Sequence, residues 1–185
     1  MPILNTYHCD FETYSDADLT TVGATAYAQH PSARILLAAI AKNDEPVRLW
    51  DHRNKSSADS WAALELLEEM LEDDGPIVAH NSAFEETITE YLFGKTFNMM
   101  PPNADRWTCT AAMCRMAAIP YDLFSASRFL SLKSVKMEAG TNLIKIFCCP
   151  DPKIPKNWDE KAGWETFRTY CVKDVEAERE LYDRL

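Results

Sequence analysis

Asp10 and Glu12 stand one residue apart where a short apolar run, 3–9, ends. The run has the length and composition of a buried strand. On a strand, residues i and i+2 point to the same face, about 6–7 Å apart. Two carboxylates so placed repel and perturb each other's pKa unless something positive lies between them. A hard divalent cation is the simplest candidate, because Mg²⁺ and Mn²⁺ favour carboxylate oxygens. A solvated strand end carrying two acids satisfies the same pair, so the rest of the chain must decide.

Three further positions could join such a site. Glu85 falls one turn into a predicted helix that follows a buried strand at 77–80. An acid there also suits the helix dipole. Asn81, just before it, is a natural N-cap. Tyr170 and Asp174 lie four apart on the last predicted helix and share a face. Phe167, Cys171 and Val175 mark the adjacent apolar face, which puts Asp174 at the edge of the core. Glu176, Glu178 and Glu180 read as a solvated face.

The elements that must carry these residues are legible in outline. Residues 34–42 and 47–50 predict a hairpin across the turn at 43–46, giving three early, mutually antiparallel strands. Residues 21–29 are small and mixed, with no clear element. A helix is expected over 57–74, with Trp61, Leu64, Leu67 and Leu71 at helical spacing and Gly75-Pro76 stopping it. Then come the strand at 77–80 and a helix to about Gly94. A strand leading into a helix is expected over 107–118, short helices at 125–132 and 141–147, a Pro/Lys-rich loop at 149–157, and helix from Trp158 on. Strands, then strand–helix alternation, then helices, predict an α/β sandwich with a mixed central sheet in a single domain, 1–185.

Composition narrows the class. Hydrophobic residues make up 46% of the 185, enough for a core, and no run approaches the ~18 apolar residues of a membrane span. The N-terminus lacks a basic stretch before an apolar one, so no secretion signal is expected. The six cysteines form no C-x-x-C pair and read as reduced core thiols of a cytoplasmic protein, not a zinc site. A net charge of −10 argues against passive grip on nucleic acid. Yet residues 128–173 hold nine Lys/Arg against five Asp/Glu, so one late segment is basic.

Asp10-x-Glu12, then Asn81-x-x-Phe84-Glu85, then Tyr170-x-x-x-Asp174 resemble, in order, the three motifs of the DEDDy, DnaQ-like 3′→5′ exonucleases. The resemblance is closest to the proofreading domains of phage-type family A DNA polymerases. It includes Asp10-Phe11-Glu12-Thr13, Val22-Gly23-Ala24, Ala79-His80-Asn81 and the stretch 123–150, and covers nearly the whole chain. The broader superfamily has Asp in the second motif where this chain has Glu85, one methylene longer. The chain stops in a helix at Leu185, which fits a free-standing exonuclease or the editing portion of something longer.

The resemblance implies a ribonuclease-H-like, three-layer α/β fold with a mixed five-stranded sheet flanked by helices. It implies two Mg²⁺ or Mn²⁺ ions held by Asp10, Glu12, Glu85 and Asp174, of the kind that clamp the attacking and leaving oxygens of an in-line displacement. Tyr170 would orient the attacking water, since a phenol with a pKa near 10 is a poor base at neutral pH. Thr13, Asn81 and Phe84 would hold the terminal nucleotide, and Arg128, Lys133 and Lys136 are candidates for backbone contacts. The implied substrate is a single-stranded or frayed DNA 3′ end, the product a 5′-mononucleotide, the partner a family A polymerase domain, and the location the cytoplasm of a phage host. RNA or oligonucleotide trimming, or a silent strand-end-binding domain, are the competing expectations.

Overall fold

The computed structural model describes residues 4–134 and 140–185. Strand β1 (Tyr7–Tyr14) starts later than the apolar run and continues through the acid pair. The period of two explains this: Cys9, Phe11 and Thr13 are buried on one face while His8, Asp10 and Glu12 take the other. Strand β2 (Arg34–Lys42) pairs antiparallel with β1, and β3 (Arg48–Asp51) with β2, so the expected hairpin and the three antiparallel strands are present. Strands β4 (Ile77–Ala79) and β5 (Trp107–Cys109) extend the sheet in parallel, in the order β3-β2-β1-β4-β5. β1 is therefore central, and its alternate side chains feed two separate cores.

One core lies under helices α2 (Ala58–Glu72) and α3 (Ala83–Phe97), where Tyr7, Cys9 and Phe11 meet Leu67, Met70, Ile88 and Phe93. Helix α2 is capped by Ser57, whose side chain accepts the Ser60 N–H. Its buried stripe runs through Ala63, Leu67 and Met70, and Trp61, placed in the stripe by spacing, is exposed. Helix α1 (Leu19–Gln29) occupies the stretch in which no element was expected. Gly23, at φ +77°, breaks it into two helical pieces, and this hides the periodicity in sequence.

The other core lies under α7 (Glu160–Arg184), where Phe167, Cys171 and Val175 pack on Leu37, Ala39 and Ala41 of β2. Helix α6 (Gly140–Phe147) adds Leu143 to it. Helices α4 (Thr110–Met116) and α5 (Leu123–Phe129) build a third cluster against the far end of α7, through Cys114, Leu123, Ala126 and Leu181. The result is a helix–sheet–helix sandwich around a mixed sheet. Among the described residues no helix is long and apolar enough to cross a membrane.

Candidate active site

The acids separated in sequence come together between β1, α3 and α7. α7 runs back along β1: His8 Nδ1 lies 2.8 Å from Glu178 Oε2, and the Cys171 thiol lies 3.6 Å from Asp10 Oδ2. Tyr170, Asp174 and Glu178 recur at four-residue spacing, so one buried stripe of α7 faces the polar stripe of β1. Glu178 is thus not on a solvated face. It is 2% exposed and paired with His8, itself buried and edge-on to Tyr182. The partner that makes its burial tolerable is 170 residues away in the chain, out of reach of any local pattern. Glu180 does sit near solvent, where it accepts the backbone N–H groups of Lys133 and Ser134.

Glu85 projects from the first turn of α3 into the same space and is 4% exposed. Burial, and then the neighbouring Asp10 and Glu12 carboxyl groups, push its pKa well above the usual carboxylate range. Its Oε2 has no hydrogen-bond partner among the described residues. Tyr170 is fully buried, and burial together with Asp174, Glu12 and Asp10 raises its phenol well above the ordinary value. Its side chain hydrogen-bonds Asp174. The same acids push up the thiol of Cys171, after burial itself. Asp10, Glu12, Glu85, Tyr170 and Asp174 therefore share one electrostatic neighbourhood. Among the described residues, however, no three His, Cys, Asp or Glu side chains stand ready grouped to hold a metal ion.

No protein-family profile matches the chain. The chain is similar to DNA polymerases. The DNA polymerase of Bacillus phage SP02 is 32% identical over 192 residues, which take in 98% of this chain and 28% of that polymerase. The family B DNA polymerase from the hyperthermophilic archaeon Pyrobaculum calidifontis shares the fold, with a TM-score of 0.60 at 14% identity over 100% of this chain and 25% of its own. The chain thus spans about a quarter of the length of these polymerases. The expected family A affinity is a matter of motifs; the superposed structure is a family B enzyme, and at that identity it speaks for the fold alone.

Beside Glu12 opens a cavity of about 510 Å³, within the range of small-molecule sites. Its walls include Phe11, Thr13, Leu19, Tyr27, Phe84 and Ile144. Thr13 and Phe84 both line it. Thr13 Oγ1 lies 3.0 Å from the Tyr27 hydroxyl, and the Phe84 ring packs 6.2 Å from that of Tyr27. Tyr27 was not foreseen, because it rides on the interrupted helix α1. Asn81 is neither in the cavity wall nor the N-cap. It sits at φ +70° in the turn before α3, a left-handed conformation that Asn tolerates, and Ser82 takes the cap position. Arg128 lies over the Phe124 ring, the Lys133 side chain is exposed, and Lys136 falls outside the described residues.

Proposed function

We propose that this chain is the 3′→5′ exonuclease unit of a DNA polymerase, with the ribonuclease-H-like fold, hydrolysing the last phosphodiester of a single-stranded or frayed 3′ end. The observation that carries the reading is Glu85: a buried carboxyl with an oxygen left without a partner, beside two more acids. Such a group is costly unless a cation completes it. The donors are carboxylate oxygens throughout, which suits two hard divalent ions, Mg²⁺ or Mn²⁺, held by Asp10, Glu12, Glu85 and Asp174. Bound there, such ions stabilise the charge that develops on the attacking and leaving oxygens.

The chain's own groups supply binding and orientation. The apolar cavity takes the terminal nucleoside, with its base against Phe84 and Leu19 and its sugar near Thr13. A paired nucleotide cannot enter without unstacking, so a mismatched end, which frays more readily, is the better substrate. Tyr170 keeps its proton at neutral pH, because burial and three acids oppose its ionisation. It therefore orients a water through its hydroxyl and does not act as base.

The test is release of 5′-mononucleotides from a 3′-labelled single strand in Mg²⁺ or Mn²⁺, abolished by EDTA and by Asp10→Ala. A silent strand-end-binding domain is the second reading, favoured by the absence of a ready-grouped ligand trio among the described residues. Binding without cleavage in Mn²⁺ would establish it. Matched DNA and RNA strands decide the substrate.

A further inference from the structure

Three concavities join end to end around α6. The site cavity shares Cys149 and Pro150 with a second concavity of about 590 Å³, which Lys145 and Lys153 line. That one shares Ile146 and Trp158 with a third, of about 220 Å³, lined by Arg34 and Arg53. The geometry of the shared walls makes this a wrap and not a coincidence of surface dents. Ile144 faces the site cavity and Ile146, two residues on and so on the far side of the helix, faces the third. Likewise Thr13 lines the first and Tyr14, its neighbour on β1, the third.

The chemistry of the wrap runs against that of the chain. The molecule carries −10, yet this path presents two lysines and two arginines against Asp151 and Glu160. Both arginines already sit over rings: the Arg34 guanidinium is 4.0 Å from the Tyr14 centroid, and that of Arg53 is 3.9 Å from Trp164 and 5.5 Å from Phe147. Contact with a ring positions the guanidinium before any ligand arrives. One Arg53 nitrogen also reaches Glu160 at 3.0 Å, and the Tyr14 hydroxyl donates to Asp16. Pro150, Pro152 and Pro155 stiffen the wall between the recesses. Point cations followed by ring-seated planar cations and aromatic rings match a phosphate backbone followed by a base.

We propose that this groove is a track for the single-stranded segment 5′ of the nucleotide in the site cavity, with phosphates along Lys145 and Lys153 and a base in the Arg34/Arg53 recess. The proposal rests on the exonuclease reading for its direction, not for its ligand. Fluorescence anisotropy of labelled oligothymidylates in EDTA measures binding without metal or cleavage. For a 12-mer, the Lys145→Gln/Lys153→Gln variant should bind about tenfold more weakly, with a salt slope shallower by about 1.4, as expected for two single-strand phosphate contacts. Arg34→Gln should weaken the 12-mer and leave a dinucleotide unchanged. Failure of the unaltered protein to bind the 12-mer, unchanged affinity and slope in the variants, or equal loss with the dinucleotide overturns the track. If the variants lose affinity and slope as stated but the unaltered protein releases nothing in Mn²⁺, the exonuclease reading fails and the track stands. If it cleaves and the variants behave like it, the reverse holds.

Discussion

The ring of Tyr170 lies on the α-carbon of Gly140: a β-carbon there would stand 2.0 Å from Cε2. Tyr170 is fully buried, so the ring cannot swing aside without moving its neighbours. Gly140→Ala should displace the phenol from Asp174 while leaving the sheet intact. We expect kcat to fall by on the order of 10²-fold, the effect of about 1 Å of misplacement, with circular dichroism unchanged. Full activity in this variant would remove Tyr170 from the chemistry.

Glu85 supplies a pH prediction. Its folded pKa is raised, so the folded state holds a proton that the unfolded chain gives up near pH 4–5. Glu85's contribution to the stability of the metal-free protein should therefore be fully present below that range and be lost as pH rises toward the folded pKa. Glu85→Gln should flatten the decline and raise the metal-free Tm at pH 7 by a few degrees, the response to about 1 kcal/mol in a chain of this size. The same variant should lose the stabilisation by Mn²⁺ expected of the unaltered protein. Thermal scans across pH 4–8, with and without Mn²⁺, check both signs.

Tyr170→Phe keeps the packing and removes the hydroxyl. kcat should drop by on the order of 10²-fold, as for loss of one positioned donor, with KM little changed. Because the phenol is held above its ordinary value, the pH–rate profile of the unaltered enzyme should show no limb from Tyr170 up to about pH 10. A limb near pH 8 that vanishes in the Phe variant would contradict this.

His8 and Glu178 pin α7 to β1 two residues from Asp10 and one helical turn from Asp174. Removing His8 leaves the buried Glu178 carboxyl with Thr110 but without the imidazole. His8→Leu alone should cost roughly 3–5 kcal/mol, and His8→Leu with Glu178→Leu much less. Urea denaturation of the four-protein cycle measures the coupling; additive losses would show that the contact is incidental.

Sequence disclosed the parts of the site whose signal is local. Asp10 and Glu12 are a strand pair, Tyr170 and Asp174 a helix pair, and each periodicity survives in the fold. What stayed hidden depends on partners far away in the chain. Glu178 looked solvated because its neighbours on α7 are charged and His8 is at the other end of the sequence. Tyr27 was lost because Gly23 breaks the period of α1. Asn81 was misplaced because capping and left-handed turns select the same residue. The Arg34/Arg53 recess draws on β1, the start of β2, the turn after β3, α6 and the loop after it, so no window of sequence contains it.

Against β1, α7 advances about 6 Å every four residues, while the strand advances about 6.6 Å every two. The two stripes therefore keep step over His8–Glu12 and Tyr170–Glu178, like the teeth of two matched racks. A substitution on either rack alters one tooth and leaves the spacing of the others unchanged. Adding or deleting a single residue would not: it swings the helix by about 100° or turns the strand's side chains to the opposite face. Over these two short stretches the number of residues is constrained independently of which residues they are.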